Sequence, residues 1–283
     1  MRQLVRYLMI VTMALGTLIP SACNKSSLDN GQDNKQNLLD LLNAEDKLYQ
    51  DLTIQSQYKG KKMTYSVWLP NGYDSSKEYP FLYLLHGYET GDQSHLDRYW
   101  VEKGNAREIA RSYLKNGGVP MIIVMPNGLS DFYIGYNNGD YEKYFHEELI
   151  PTVEKDFKCN GKRAIAGLSM GGFGTLYYAL TYPQKFTYAY AMSPATSMSM
   201  FGISLDDMKA KAAALANVKP CPGFTIEVGN QDTTVSNADA EELSKAINVS
   251  AHCEWIARDG IHYWDFWQEC LPKALKKAGE SFK

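Results

Sequence analysis

The chain has 283 residues, of which 45% are hydrophobic and 22% are charged, and its formal net charge is −3 at neutral pH. This length and composition are those of an ordinary globular protein with enough apolar material for one large core, and they do not require a second domain. The small net charge and the scattered basic residues exclude a strongly basic surface. Neither nucleic acid nor an anionic membrane surface is therefore an expected partner.

The N-terminal residues have the pattern of an export signal. An apolar stretch over residues 7–19 follows two arginines and is too short to span a bilayer. Residues 20–23 read Pro-Ser-Ala-Cys, which resembles the cleavage site of a bacterial lipoprotein, although Pro20 stands where such signals usually carry Leu. We predict a signal peptide over residues 1–22 and lipidation of Cys23, so that the exported protein is anchored in a membrane. Ordinary cleavage, which gives a soluble periplasmic or secreted protein, is the alternative.

The segment that follows Cys23 is mostly polar. Residues 24–37 are rich in Asn, Asp, Gln, Ser and Lys and offer little to bury, which predicts a flexible tether. Residues 38–49 are rich in leucine and predict a short helix. The N-terminal part is thus predicted to cover residues 23–50, and the catalytic domain residues 51–283.

Four cysteines follow Cys23, and four cysteines allow three disulfide pairings. They do not have the spacing of a C-x-x-C motif or of metal ligands, so we expect free thiols or one incidental disulfide. They are Cys159, Cys221, Cys253 and Cys270.

Short apolar runs alternate with helical patterns through the rest of the chain. Alternation of apolar and polar residues over 53–58 and 63–69 predicts an edge hairpin. Apolar runs predict strands over residues 81–85, 121–125, 164–168, 188–192 and 225–228, with a less apolar candidate over 251–257. Helical patterns cover residues 105–116, 141–157, 172–182, 205–216, 237–247 and 264–278. Strands that are apolar on both faces and alternate with helices indicate an α/β fold, with a mostly parallel sheet covered by helices.

A Gly-x-Ser-x-Gly pattern occurs once, over residues 167–171, between a predicted strand and a predicted helix. A strand that runs directly into a helix forces a sharp turn, and the residues two positions from its apex must lack a Cβ. This context predicts a nucleophile elbow, in which the hydroxyl of Ser169 is exposed and the backbone N–H of Met170 faces a developing oxyanion. An ordinary glycine-rich turn is the alternative.

A serine hydroxyl needs a base to remove its proton and an acid to orient that base. In folds with a nucleophile elbow the chain order is Ser, acid, His, and only His252 and His262 follow Ser169. His252 opens a predicted strand, and the start of a parallel strand lies far from the catalytic loops. We therefore predict His262 as the base.

The acid should leave the end of a strand between the serine and the base. Asp232 meets this condition because it follows the predicted strand over residues 225–228, and we predict it as the acid. Asp259 and Asp265 are nearer to His262 in sequence. They share its loop, however, which makes the far nitrogen of the ring harder to reach.

The second oxyanion donor should be a backbone N–H directly after the predicted strand over residues 81–85. The next residues are His86, Gly87 and Tyr88, and we predict the N–H of Tyr88 as this donor. Gly87 would allow the backbone to approach the substrate closely. His86 is interpreted as a residue that shapes the loop and not as a second base.

Together these motifs resemble a known family, the feruloyl esterase and esterase D-like branch of the α/β-hydrolases. The similarity covers residues 52–280 approximately, in the family's order. Its motifs are Leu-His-Gly at 85–87, Met-Pro-Asn-Gly at 125–128, Glu-Leu-Ile-Pro at 148–151, Gly-Leu-Ser-Met-Gly-Gly at 167–172, Met-Ser-Pro-Ala at 192–195, Gly-x-x-Asp at 229–232 and Gly-x-His-x-x-x-x-Trp at 260–267. The resemblance implies an α/β-hydrolase fold with eight strands, the triad Ser169, Asp232 and His262, and the oxyanion donors Met170 and Tyr88.

The resemblance also implies ester hydrolysis through an acyl-enzyme, without a cofactor or a metal. Members of the family include cinnamoyl and acetyl esterases of plant cell-wall xylan, S-formylglutathione hydrolases, siderophore esterases and mycolyltransferases. Export argues against S-formylglutathione, a cytosolic substrate, so we expect a serine esterase for feruloyl or acetyl esters of xylan. An acyltransferase or a siderophore-type esterase on the same fold, and a catalytically inactive carbohydrate-binding relative, are the alternatives.

Aromatic side chains near the predicted catalytic edge could stack on a sugar ring or on a ferulate group. Each of them could instead fill the core or cover the surface. The candidates are Phe132, Tyr133, Tyr136, Trp264 and Trp267.

Overall fold

The computed structural model describes residues 45–135, 139–198 and 202–283. The predicted signal peptide, Cys23, the tether and most of the predicted helix over residues 38–49 lie outside these residues. Residues 47–49 belong to a β-strand and not to that helix, because Leu48 and Tyr49 pair with a neighbouring strand.

An eight-stranded sheet forms the centre of the fold. Its strands are β1 (Lys47–Gln55), β2 (Lys62–Leu69), β3 (Tyr79–Leu85), β4 (Ile122–Pro126), β5 (Cys159–Leu168), β6 (Tyr188–Met192), β7 (Gly223–Gly229) and β8 (Cys253–Arg258). The spatial order is β1-β2-β4-β3-β5-β6-β7-β8. The β1–β2 hairpin is antiparallel and joins β4 in antiparallel fashion, whereas the strands from β3 to β8 run parallel. The predicted hairpin and the mostly parallel sheet are thus confirmed. Of the two hairpin strands, only β1 is an edge strand, and β8 forms the other edge of the sheet.

Helices cover both faces of this sheet. They are α1 (Tyr99–Glu102), α2 (Ala106–Lys115), α3 (Tyr141–Lys143), α4 (Ile150–Phe157), α5 (Met170–Thr181), α6 (Leu205–Ala214), α7 (Asn237–Ser250) and α8 (Trp264–Ser281). A π-helical segment, Tyr144–Leu149, joins α3 to α4 within the single helix predicted over residues 141–157. Short 3₁₀ turns in the described part of the chain are Leu96–Arg98, Pro183–Lys185 and Leu215–Asn217.

The strands are apolar on both faces because each face packs against helices. In β3, Phe81 and Tyr83 belong to a core cluster that also contains buried residues of α4, α5, α6 and α7. Leu82 and Leu84 point the other way, into a second cluster with residues of α1, α2 and α8. A strand in this position has no solvent-facing side, which explains why the sequence there does not alternate.

In the described residues, the cysteines form no disulfide and no helix is a candidate membrane span. The four cysteines after Cys23 are free thiols, which is the first of the two outcomes expected for them. Among the residues that the structure describes, no helix has the length and apolarity needed to cross a bilayer.

The predicted site residues all follow the carboxyl ends of parallel strands. Tyr88 lies three residues after β3, Ser169 directly after β5, Asp232 three residues after β7 and His262 four residues after β8. His252 directly precedes β8 and therefore lies at the opposite edge of the sheet, as predicted. One edge of the sheet thus holds every residue of the predicted triad and oxyanion loop.

Candidate active site

Ser169 occupies a strained turn between β5 and α5. Its φ of 52° and ψ of −115° place a residue with a Cβ in a region that normally favours glycine. A Cβ added at Gly167 would lie 2.4 Å from the carbonyl oxygen of Gly171, and one added at Gly171 would lie 2.4 Å from that of Leu85. Both glycines are therefore needed for the close approach of strand and helix, as the sequence predicted.

Backbone hydrogen bonds hold this turn in place. The N–H of Ser169 donates to the carbonyl of Met192 at 2.9 Å, and the carbonyl of Ser169 accepts from Phe173 and from Ala195. The Met-Ser-Pro-Ala motif after β6 thus braces the turn from the neighbouring strand. Such bracing is what keeps a strained residue in its conformation.

His262 lies between Ser169 and Asp232. Its Nε2 is 2.9 Å from Ser169 Oγ, and its Nδ1 is 2.7 Å from Asp232 Oδ2. A carboxylate can only accept, so Nδ1 carries the proton and donates to Asp232, and Nε2 is free to accept from the hydroxyl of Ser169. The structure brings together the three residues of the predicted triad, which are 93 and 30 positions apart along the chain.

Asp232 is held as an acceptor by its own loop. Its side chain is fully buried, and Oδ1 accepts the backbone N–H groups of Thr234 at 2.9 Å and of Val235 at 3.3 Å. These bonds leave Oδ2 directed at His262. The loop after β7 therefore fixes the carboxylate and, through it, the ring.

Gln231 is a residue of the site that the sequence did not reveal. Its Oε1 accepts the N–H of Gly260 at 2.7 Å, and its backbone N–H donates to the carbonyl of Gly260 at 3.0 Å. Its Nε2 donates to Asp259 at 3.4 Å. Gln231 thus joins the loop of the acid to the loop of His262, and its only signal in the sequence is its position next to Asp232.

The ring of His262 also packs against an aromatic side chain. Trp267 approaches it edge-on with the ring centroids 5.0 Å apart, and Trp264 stands edge-on to Trp267 at 5.4 Å. Trp267 is only 6% exposed. We conclude that Trp267 packs against the imidazole from the protein interior and does not offer a free face to a substrate.

The loop after β3 passes close to Ser169. A Cβ added at Gly87 would lie 2.7 Å from Leu168 Cδ1 and 3.6 Å from Ser169 Cβ. The peptide group between Gly87 and Tyr88, which carries the N–H of Tyr88, therefore begins close to Ser169. Met170 is the first residue of α5, so its N–H lies at the positive end of a helix dipole.

His86 is buried beneath this loop. Burial lowers the pKa of His86 to about 4, so the imidazole is neutral at physiological pH. Its Nε2 accepts the N–H of Gly128 at 2.7 Å, which places the ring proton on Nδ1, and Nδ1 donates to the carbonyl of Gly87 at 2.6 Å. The carbonyl of Gly87 and the N–H of Tyr88 belong to one peptide, so His86 shapes the loop, as the sequence indicated.

The aromatic candidates divide into buried and accessible residues. Tyr133 is fully buried, and its hydroxyl donates to the carbonyl of His86 at 3.0 Å, so it is a structural residue. Phe132 is partly buried, with its ring centroid 5.9 Å from that of Tyr88, and Trp264 packs on Trp100. Tyr136 lies outside the described residues.

One group of side chains in the described part of the chain has the composition of a metal site. It consists of Asp51, His95 and Asp97. Arg98 binds both carboxylate oxygens of Asp51, and Asp97 accepts from Ser66 at 2.6 Å. These carboxylates are already neutralised or hydrogen-bonded, so they are interpreted as a structural network.

Comparisons with known proteins agree with this geometry. A family model described as "Putative esterase" matches residues 56–278. The chain is 36% identical over 239 residues to an endo-1,4-beta-xylanase/feruloyl esterase of Xylanibacter ruminicola. That match covers 79% of this chain and 30% of the relative. It is 26% identical over 231 residues to an acetyl esterase of Caldicellulosiruptor saccharolyticus. That match covers 69% of this chain and 81% of the relative.

A similar solved structure is a ferulic acid esterase, with a TM-score of 0.74, 26% identity, and coverage of 85% of this chain and 100% of that one. The fold is thus of the α/β-hydrolase type, as the sequence predicted. The chain spans about a third of the length of the first curated relatives it matches.

Proposed function

Because this chain belongs to the putative esterase family, we propose that it hydrolyses carboxylic esters with Ser169 as the nucleophile. The observation that supports this most strongly is the pair of contacts made by His262, at 2.9 Å to Ser169 Oγ and 2.7 Å to Asp232 Oδ2. A hydroxyl, an imidazole and a buried carboxylate in this order are the parts that acyl transfer needs.

The proposed reaction has two halves. In the first, Nε2 of His262 takes the proton of Ser169 while Oγ attacks the ester carbonyl, and the imidazolium then protonates the departing alcohol. In the second, His262 takes a proton from water, the hydroxide attacks the acyl-enzyme, and the same proton returns to Ser169 as the acid leaves. Asp232 stabilises the charged ring in both halves and keeps its own charge throughout.

Two backbone N–H groups are proposed to bind the oxyanion. Met170 would donate from the first turn of α5, and Tyr88 from the loop that His86 holds. Such donors stabilise charge that develops only in the transition state, so they raise the rate without tightening the ground state.

The proposed substrates are feruloyl or acetyl esters of plant cell-wall xylan. The names of the relatives support this, since they include a xylanase/feruloyl esterase and an acetyl esterase. An acyltransferase or a siderophore-type esterase would use the same site. A catalytically inactive carbohydrate-binding protein is disfavoured by the intact contacts among Ser169, His262 and Asp232.

The test is a comparison of methyl ferulate, acetylated xylan and p-nitrophenyl acetate as substrates of the purified protein. We expect hydrolysis of p-nitrophenyl acetate and of at least one of the other two, and a mass increase of one phosphoryl group after treatment with an organophosphate. A protein that hydrolyses none of them and takes up no label would contradict the proposal. Retention of that protein on a xylan gel would then favour the binding alternative.

We further propose that the protein is exported and anchored through a lipid on Cys23. The support is the apolar stretch over residues 7–19 followed by Pro-Ser-Ala-Cys. Full-length protein expressed in a bacterium should incorporate labelled palmitate and sediment with membranes, and Cys23→Ala should lose the label. Ser21→Ala serves as the matched control and should keep it. Label that persists in Cys23→Ala would show that the anchor is elsewhere.

A further inference from the structure

Two loops at the catalytic edge carry the acid and the base of the triad, and they lie against each other. The backbone N–H of Asn230 donates to the carbonyl of Arg258 at 2.7 Å, so the pairing of β7 with β8 continues one residue beyond the end of β7. A Cβ added at Gly229 would lie 2.3 Å from the carbonyl oxygen of Gly260. The distance between the acid and the base therefore depends on contacts between these two loops.

Gln231 joins the two loops through three hydrogen bonds. Both main-chain polar groups of Gly260 bond to it, since the N–H of Gly260 donates to Gln231 Oε1 at 2.7 Å and the carbonyl accepts the backbone N–H of Gln231 at 3.0 Å. Nε2 of the same side chain donates to Asp259 Oδ1 at 3.4 Å. One side-chain amide thus holds two consecutive residues of the loop that leads to His262.

The bonds of Gln231 and the bond between acid and base link the same two short segments. In the first segment Asp232 directly follows Gln231, and in the second His262 lies two residues after Gly260. The bond between the segments on the side of the active site joins His262 Nδ1 to Asp232 Oδ2 at 2.7 Å. Because both segments are so short, a shift at one link is passed on to the other. Gln231 is therefore placed to control where the imidazole lies relative to the carboxylate.

The acid and the base are held in different ways. Oδ1 of Asp232 accepts two backbone N–H groups of its own loop, at 2.9 Å and 3.3 Å, so this carboxylate is fixed relative to β7. The ring of His262 packs edge-on against Trp267, with the centroids 5.0 Å apart, which limits how the ring tilts. That packing contact does not reach the loop of the acid. Gln231 supplies the hydrogen bonds that tie the backbone before His262 to that loop.

Gln231 and Asp259 are both exposed to solvent. A hydrogen bond at the surface replaces a bond to water and adds little to the free energy of folding. The rate of a reaction is more sensitive, because a displacement of about 1 Å in a reacting group can cost about a hundredfold. The contacts of Gln231 are therefore expected to matter for the geometry of the triad more than for the stability of the fold.

From these contacts we propose that Gln231 is a positioning residue for ester hydrolysis, which holds His262 at hydrogen-bonding distance from Asp232. The inference rests on the proposed function. Gln231 acts through these two residues and has no part in the chemical steps themselves. Its loss should lower kcat, because the base is then less often aligned, and should leave KM nearly unchanged.

The first test is Gln231→Ala, which removes the side-chain amide and keeps the backbone N–H. With p-nitrophenyl acetate as the substrate, kcat should fall about five- to twentyfold while KM stays within about twofold. The melting temperature should change by less than about 2 °C, because the side chain is exposed. A wild-type kcat in this variant would overturn the proposal.

Gln268→Ala is the matched control for this variant. Gln268 also joins two distant segments through its side-chain amide, since Nε2 donates to the carbonyl of Lys103 at 2.8 Å. It lies outside the two loops that carry Asp232 and His262, so kcat should stay within about twofold of the wild type. An equal loss of kcat in both glutamine variants would contradict a specific role for Gln231.

An exchange of two side chains separates positioning from a general loss of structure. Gln231→Glu keeps an oxygen that can accept the N–H of Gly260, but it places a second carboxylate against Asp259. Repulsion between these carboxylates should lower kcat about three- to tenfold. Adding Asp259→Asn supplies an amide donor in place of the second carboxylate and should restore kcat to within about twofold of the wild type. A double variant as slow as Gln231→Glu would contradict the proposed role.

The last test asks whether Gln231 acts through the acid. In Asp232→Asn the hydrogen bond that Gln231 positions is already impaired, so adding Gln231→Ala should lower the remaining kcat by less than about twofold. A further loss of about five- to twentyfold would show that Gln231 acts independently of the triad, and it would overturn the proposal. The proposed function fails separately, if the wild-type protein does not hydrolyse p-nitrophenyl acetate or if Ser169→Ala still does.

Discussion

Ser169→Ala is expected to lower kcat/KM for p-nitrophenyl acetate by about 10⁴-fold or more and to abolish labelling by an organophosphate. The alanine has no oxygen to attack the carbonyl or to carry the acyl group. His262→Ala should cost a similar factor, because a hydroxyl without a base hardly attacks at neutral pH. Steady-state kinetics and the mass of the intact labelled protein measure both effects.

The double variant sharpens this result. Ser169→Ala combined with His262→Ala should cost far less than the product of the two single losses, because the proton transfer at 2.9 Å is already broken by either change. Losses that multiply would show that the two residues act independently. A Ser169→Ala enzyme that remains active after a contaminating esterase has been removed would refute the nucleophile.

Asp232→Asn is expected to lower kcat by about 10³- to 10⁴-fold, whereas Asp259→Asn should change it by less than about threefold. Only Asp232 contacts Nδ1 of His262, at 2.7 Å. An amide there would present N–H groups as well as an oxygen, which disfavours the tautomer that leaves Nε2 free to accept. Asp259 contacts Gln231 at 3.4 Å, and an asparagine oxygen can accept that same hydrogen bond.

The pair of variants discriminates between the two candidate acids. Both replace a carboxylate by an amide of the same shape, so a difference between them reports the position and not the size of the side chain. Thermal melting of both proteins controls for misfolding. If Asp232→Asn keeps the wild-type rate and Asp259→Asn loses it, the acid is Asp259 and the contact with Asp232 is only structural.

The positions of most strands and helices could be predicted because local burial leaves a local pattern. The run of apolar residues in β3 reflects helices packed on both of its faces, and the structure places the strand at Tyr79–Leu85 where residues 81–85 were predicted. Within the segment 38–49, the prediction was wrong for residues 47–49, because so short a stretch fits the end of a helix and a partly buried strand equally well. In β1, pairing with β2 decided the outcome.

The turn at Ser169 could also be predicted, for a different reason. Its two glycines are required by steric exclusion within a few residues, and such a constraint is written directly in the sequence. The order of strands then predicted which loops reach the same edge. His262 followed from this order because only two histidines come after the serine.

By itself, then, the sequence determined the type of sheet and the position of the turn, and it predicted which histidine lies beside Ser169. The order of strands favoured Asp232 over Asp259 as the acid. Only the tertiary structure shows that Asp232 contacts the ring, at 2.7 Å from Nδ1 of His262, because both aspartates lie in loops at one edge and no local pattern encodes their distance from the ring. It also decided that Tyr133 is buried and Tyr88 exposed, and that Gln231 joins the two loops. Local patterns record which faces of strands and helices are buried, whereas the burial of a loop residue and the partner of any residue depend on strands brought together from distant parts of the chain.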